Sequence, residues 1–144
     1  MKSQARVVVV GGGVVGVATL YQLARQGWSD VVLVERNELT SGSTWHAAGL
    51  LPLFNMSYSV GQIHKHSVEL YQGLEAETGQ AVGFSKVSNI RLAMNQDRMD
   101  EYHQYAGVAK TIGVQVEFLT PAQVLEIWPL CNIDGLVGAI QHPD

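Results

Sequence analysis

The chain has 144 residues, of which 47% are hydrophobic and 15% are charged. That hydrophobic fraction excludes a disordered chain, and the low charged fraction predicts that part of the surface is covered by something else. The net charge of −4 leaves no basic excess to neutralise phosphates, which excludes a nucleic-acid binder. The single cysteine, Cys131, excludes a disulfide framework and favours a reducing compartment.

The amino terminus carries no targeting or membrane-spanning pattern. A short polar lead over residues 1–6 runs directly into Val7–Val10, and the glycines that follow interrupt this apolar run before it could span a bilayer. The lead lacks the cleavage site of a secretory signal and the length of a transit peptide. We therefore expect a cytoplasmic protein with no membrane partner.

The first 35 residues predict a parallel β-α-β unit. A β-branched run over 5–10 predicts a strand buried on both faces, and 31–35 predict a second buried strand. Between them, small and apolar residues at helical spacing over 14–26 predict a helix that ends at Gly27. The crossover between the strands should be right-handed.

The remaining chain predicts a different architecture. Residues 37–56 are irregular, and a helical stripe over 57–78 ends at Gly79. The elements predicted beyond residue 80 are strands over 90–94, 114–118 and 136–141, and helices over 97–112 and from Pro121 to Pro129, the last with a capping box of Thr120 and Gln123. The alternating strands indicate an antiparallel sheet with helices between its strands, so the fold class is α/β followed by α+β.

A glycine-rich turn joins the first predicted strand to the first predicted helix in the pattern G-x-G-x-x-G. Gly11 allows the tight turn, Gly13 lets a pyrophosphate approach the backbone, and Gly16 lets the helix pack close to the strands. The N–H groups near Val14 and Val15 would point at the phosphates. This context predicts a dinucleotide site, against the alternative of a glycine turn that binds none.

Glu35, at the end of the second predicted strand, supports the same site. Its carboxylate can accept hydrogen bonds from both ribose hydroxyls of an adenosine and would repel a 2′-phosphate, which disfavours NADP. The β-α-β unit alone leaves NAD and FAD both open. The hydroxyls and glycines of residues 41–50 suit a backbone that wraps a polar ligand, and no further helix begins after Glu35, so an extended FAD is favoured.

The segments 11–16, 35–36 and 39–50 together resemble the amino-terminal part of the D-amino-acid-oxidase-like FAD-dependent oxidoreductases, and most closely the dimethylglycine and sarcosine dehydrogenase subfamily. The likeness continues through 77–84 and 90–93. It implies an FAD-dependent amine dehydrogenase or oxidase that removes a hydride from the N-methyl group of a small N-methyl amino acid to flavin N5, with release of formaldehyde. The resemblance also allows a location in the mitochondrial matrix, as in relatives of this subfamily.

The resemblance also implies roles for individual residues. The histidine that matches His46 is joined covalently to the 8α-methyl group of the flavin in that subfamily. The implied cofactor-binding residues are Gly11, Gly13, Val14, Val15, Gly16, Glu35, Arg36, Gly42, Ser43, Thr44, Trp45, His46, Ala47, Ala48, Gly49 and Leu50. An electron-transfer flavoprotein as acceptor and tetrahydrofolate on a further domain are implied partners. The sequence assigns no catalytic base and no metal ligand.

On this basis the chain divides into an FAD-binding β-α-β unit with its flavin loop over 1–56, a connecting helix over 57–80, and part of a substrate-binding region over 81–144. The fold is expected to be incomplete and the segment alone inactive. Two alternatives stay open, a non-catalytic regulatory homologue of the same fold and an NAD-dependent dehydrogenase. Arg91 could bind a substrate carboxylate, although a surface charge on an alternating strand is the commoner explanation.

Overall fold

The computed structural model describes residues 3–143, which form two compact units that divide between Leu50 and Leu51. Each unit has its own sheet. The domain boundaries expected after residues 56 and 80 stay a prediction. No helix within the described part of the chain is long and apolar enough to cross a membrane.

The first unit is a β-α-β unit. Strand β1 spans Val7–Val10, helix α1 spans Val14–Arg25 and strand β2 spans Val31–Val34. The strands are parallel, with Val7 opposite Val31 and Val10 opposite Val34. The predicted parallel pairing is therefore confirmed. A strand, a crossover helix and a second strand form a β-α-β unit, in which the two strands are parallel.

The prediction that the first strand is buried on both faces is wrong, and the second strand, predicted to be buried, is at most half-buried. The side chains of β1 alternate, since Val7 and Val9 are half-buried whereas Val8 is 53% and Val10 is 82% exposed. A single helix covers one face of a two-stranded sheet, so the alternate residues keep their contact with solvent. Among residues 3–50, Gly12 alone is buried.

Over residues 51–143, the second unit combines three helices with a three-stranded antiparallel sheet. Its elements are α2 at Tyr58–Thr78, β3 at Asn89–Ala93, α3 at Gln96–Ile112, β4 at Glu117–Leu119, α4 at Pro121–Ile127 and β5 at Gly138–His142. Strand β5 lies between β3 and β4 and is antiparallel to both. The antiparallel sheet expected beyond residue 80 is therefore confirmed.

Two helix ends lie where the sequence predicts them. The Gln123 N–H donates to Thr120 Oγ1 at 3.4 Å, and the Thr120 N–H donates to Gln123 Oε1 at 2.9 Å, which confirms the capping box. Gly79 ends α2 in the left-handed conformation with φ 70°. The strand predicted from Val114 begins instead at Glu117, because the Val114 N–H is held by the Ala109 carbonyl at the end of α3.

The core of the second unit lies between α3 and the sheet. Its main cluster of buried side chains consists of Leu53, Ala93, Tyr102, Tyr105, Ala109, Ile112, Val114 and Ile140. Helix α2 lies close to the end of α3, since a Cβ on Gly61 would overlap the side chain of Ile112. A second cluster forms where α4 covers the sheet around Val124 and Ala139.

Candidate functional site

The glycine turn between β1 and α1 is fixed by conformation and by space. Gly11 has φ +108°, a region that other residues rarely adopt, and its N–H donates to the Val34 carbonyl at 2.8 Å. A Cβ on Gly16 would overlap the Gly11 carbonyl oxygen, so the helix can begin this close to the turn only with glycine there. These contacts give Gly11 and Gly16 the structural roles expected from the sequence.

Glu35 reaches across the turn from the end of β2. Its Oε2 accepts from the Gly12 N–H at 2.7 Å, and its Oε1 accepts from the Asn37 N–H at 2.9 Å. These hydrogen bonds, above all the one from Gly12, hold the pKa of the carboxyl below its ordinary value. The carboxylate is thus oriented and ionised, and each oxygen keeps acceptor capacity for a ribose hydroxyl.

Gly12 supports the candidate site although the sequence assigns it no role, because the motif leaves that position open. A Cβ on Gly12 would lie 3.2 Å from Glu35 Cβ and closer still to the Leu39 side chain. The run of three consecutive glycines was the available signal. Gly12 therefore serves both as the donor that orients Glu35 and as the space into which the following loop packs.

The amino terminus of α1 contacts the loop that carries the expected flavin residues. The Val14 N–H donates to Thr44 Oγ1 at 2.9 Å, and the Thr40 N–H donates to the Gly12 carbonyl at 2.9 Å. A Cβ on Gly13 would lie only 3.1 Å from Thr44 Oγ1. Since Thr44 accepts from Val14, its own hydroxyl proton stays available for a ligand, and the Val15 N–H has no acceptor within the helix by helical geometry.

His46 lies at the end of a 3₁₀ turn over Ser43–His46 and is exposed. Its Nδ1 lies 3.1 Å from the Gly42 carbonyl oxygen. A carbonyl can only accept, so Nδ1 carries a proton, and in the neutral tautomer that has this proton Nε2 presents a lone pair. The adjacent Trp45 is 78% exposed.

A cleft of about 490 Å³ opens at the carboxyl ends of β1 and β2. It is lined by Val10, Gly11, Val34, Glu35 and Arg36. The structure therefore brings the two expected adenosine residues, Glu35 and Arg36, to one cleft with the glycine turn. Residues 45–50 do not line this cleft, and they are exposed.

A family of FAD dependent oxidoreductases matches the chain over residues 6–144. The mitochondrial dimethylglycine dehydrogenase of Rattus norvegicus is 42% identical over 142 residues, which cover 99% of this chain and 17% of the relative. The mitochondrial sarcosine dehydrogenase of Homo sapiens is 40% identical over 144 residues, covering 99% of this chain and 16% of the relative. The chain thus spans about one sixth of the length of these curated relatives.

The fold is similar to that of a solved amino-acid dehydrogenase. The crystal structure of L-proline dehydrogenase from P. horikoshii superposes with a TM-score of 0.90 at 26% sequence identity. The match covers 99% of this chain and 37% of that one.

Proposed function

Since the chain belongs to the FAD dependent oxidoreductase family, we propose that the full-length protein oxidises a small N-methyl amino acid and uses FAD as its hydride acceptor. The observation that carries the proposal is the contact of Glu35 with the glycine turn in the unit that also holds Thr44 and His46. The names of the two curated relatives support dimethylglycine or sarcosine as the substrate type.

The described residues fit an extended dinucleotide. Glu35 would accept hydrogen bonds from the adenosine ribose in the cleft that it lines with Arg36. The absence of side chains at Gly11 and Gly13 leaves the backbone open to a pyrophosphate, which the Val15 N–H and the Thr44 hydroxyl would bind. When bound, the flavin ring supplies the acceptor of the hydride from the N-methyl carbon.

We extend the proposal to the loop over Gly42–Leu50 as the flavin-binding segment and to His46 as the covalent attachment point. The contact between His46 Nδ1 and the Gly42 carbonyl supports attachment through Nε2, because only Nε2 of that tautomer has a free lone pair. An exposed imidazole on a short turn is also reachable by a ligand. A covalent bond would keep the cofactor bound through many turnovers.

The proposal for the full-length protein also includes an electron-transfer flavoprotein as acceptor and tetrahydrofolate as acceptor of the one-carbon unit. Both are implied by the sequence resemblance. The cytoplasmic location stays a prediction.

We also propose that residues 1–144 alone are inactive. The support comes from the first unit, where Val8, Val10 and Val34 keep 53%, 82% and 44% of their surface exposed. Such apolar strand faces normally pack against other parts of a protein. Oxidation of dimethylglycine by the isolated segment would contradict this proposal.

Formaldehyde release tests the proposed reaction directly. Full-length, FAD-loaded protein is incubated with N,N-dimethylglycine and an artificial electron acceptor, and formaldehyde is measured against acceptor reduced. We expect one formaldehyde for each two electrons transferred. Acceptor reduction without formaldehyde, or neither, would contradict demethylation.

A further inference from the structure

Thr44 is the anchor of the loop that carries His46. Among residues 36–50 Thr44 alone is half-buried, whereas the others are exposed. Its hydroxyl oxygen accepts a hydrogen bond of 2.9 Å from the Val14 N–H at the amino terminus of α1. Because the two residues are 30 positions apart in the chain, this bond ties the loop to the glycine turn and not to its own neighbours.

A second tie holds the loop at Thr40. This residue has φ 65°, a left-handed conformation that is costly for a β-branched side chain. Its N–H donates to the Gly12 carbonyl at 2.9 Å, and its carbonyl accepts from the Trp45 N–H at 3.1 Å. Residues 40–44 are therefore fixed to the glycine turn at both of their ends.

The turn that contains the anchor also orients His46. Thr44 belongs to the 3₁₀ turn over Ser43–His46, and its carbonyl accepts from the Ala47 N–H at 3.2 Å. Within the same turn His46 Nδ1 lies 3.1 Å from the Gly42 carbonyl oxygen. The direction of the imidazole therefore depends on a turn that the Thr44 hydroxyl holds in place.

The Thr44 hydroxyl is also suited to a phosphate. Because its oxygen accepts from Val14, its proton can be donated to a further acceptor. A Cβ on Gly13 would lie 3.1 Å from this oxygen, so glycine at that position leaves the hydroxyl room beside the backbone. A phosphate oxygen that accepts from Thr44 would strengthen the bond to Val14, since hydrogen bonds in a chain polarise one another.

We propose that Thr44 is a positioning residue that couples pyrophosphate binding to flavin attachment, because the pyrophosphate bound at its hydroxyl fixes the turn that presents His46 Nε2. The inference rests on the proposed function, in particular on the covalent link at His46, and adds a requirement for the Thr44 hydroxyl. In the attachment Nε2 forms a bond to the 8α-carbon, and the methyl group and the imidazole each lose one proton. Two electrons pass to dioxygen, which becomes hydrogen peroxide.

The test measures the rate of covalent attachment after full-length apoprotein is mixed with saturating FAD in air. Samples are precipitated with acid at successive times, and the flavin fluorescence of the pellet is read. Thr44→Val removes the hydroxyl at similar shape, and Thr44→Ser keeps the hydroxyl. Thr19→Val is the matched control, because Thr19 is an exposed threonine of α1 whose hydroxyl donates to the Val15 carbonyl. FAD titration of each variant in a His46→Ala background gives the saturating concentration.

We expect Thr44→Val to attach flavin about 10- to 100-fold more slowly than wild type at saturating FAD, as for a lost hydrogen bond to a charged group or a misplaced reacting group. Thr44→Ser and Thr19→Val should attach it at the wild-type rate. A wild-type rate in Thr44→Val, or a Thr44→Ser rate as low as that of Thr44→Val, would overturn the inference and leave the proposed function in place.

Two other outcomes are also decisive. If wild type forms no covalent flavin, the attachment at His46 and this inference both fail, whereas reduction of bound FAD by dimethylglycine still tests the proposed oxidation. If Thr44→Val binds no FAD, wild type is compared with saturating riboflavin, which lacks the pyrophosphate. Riboflavin that attaches at least about 10-fold more slowly than FAD supports the coupling, and equal rates for the two flavins would overturn it.

Discussion

The carboxylate of Glu35 accepts a hydrogen bond of 2.7 Å from the backbone N–H of Gly12, which ties the end of β2 to the turn that follows β1. The contact fixes the acidic side chain through the protein's own backbone, so its orientation does not have to be acquired on binding. It also explains why the second glycine of the run matters, although the motif does not specify it.

Replacing Glu35 with glutamine should weaken FAD binding. The neutral amide can keep one acceptor for Gly12 or the ribose, but it loses the charged acceptor that strengthens both hydrogen bonds. We expect a loss of affinity of about 10- to 100-fold. The measurement is FAD titration of apoprotein in a His46→Ala background, where binding is reversible, and Glu38→Gln at a neighbouring exposed carboxylate is the control.

The same contact predicts how FAD affinity depends on pH. Because the hydrogen bonds hold the pKa of Glu35 below 4.5, the carboxylate stays ionised at and above that pH. Affinity should therefore be constant through mildly acidic pH and fall only as pH drops through the lowered pKa. A decline that begins well above pH 4.5 in wild type but is absent from Glu35→Gln would contradict this assignment.

Gly16→Ala should damage the first unit far more than alanine at another helical glycine. A Cβ at Gly16 would overlap the Gly11 carbonyl oxygen, so α1 and the turn must separate. We expect a loss of about 1–3 kcal/mol, typical of overpacking, together with weaker FAD binding. Gly73→Ala in α2, where a Cβ meets nothing within 4 Å, is the control and should be neutral or stabilising in thermal denaturation.

His46→Ala should abolish covalent flavin and leave reversible FAD binding, because the adenosine and pyrophosphate contacts are made by other residues. Acid precipitation of full-length protein followed by ultraviolet illumination measures the link. Wild type and His66→Ala, the latter at an exposed histidine of α2, should give fluorescent pellets. A colourless wild-type pellet from flavin-loaded protein would refute the attachment.

The buried pair of Tyr105 and His142 should make stability depend on pH. The pKa of His142 is lowered from 6.5 to about 4 in the folded state, so the unfolded state binds more protons in that interval. Stability should therefore be complete above pH 6.5 and decrease as pH falls towards 4, by at most about 3 kcal/mol. Urea denaturation of the full-length protein at several pH values measures this, and His142→Asn should flatten the profile.

Local patterns in the sequence predicted most elements of both units. The parallel pair of β1 and β2 and the cap formed by Thr120 and Gln123 depend on residues close together in the chain, so spacing and residue type suffice to predict them. The exposure of β1 was mispredicted, because burial depends on what covers a strand and not on the strand's own residues.

The surroundings of Arg91, Tyr105 and His142 could not be predicted in the same way. Tyr105 hydrogen-bonds Leu53 and His142, which are 52 and 37 positions away in the chain, and the insertion of β5 between β3 and β4 is a property of topology. Periodicity placed Arg91 on a strand, but it gave no indication that Nε would be enclosed. The available signal was that Arg91 is the one polar residue of the strand predicted over 90–94.

Anaerobic reduction of the bound flavin tests the central claim, FAD-dependent oxidation of an N-methyl amino acid, most directly. Full-length protein loaded with FAD is mixed with N,N-dimethylglycine or sarcosine in the absence of oxygen, and the visible flavin absorbance is followed. We predict that at least one of these amino acids bleaches the flavin stoichiometrically. Flavin that stays oxidised with both, while dithionite still reduces it, would contradict the account.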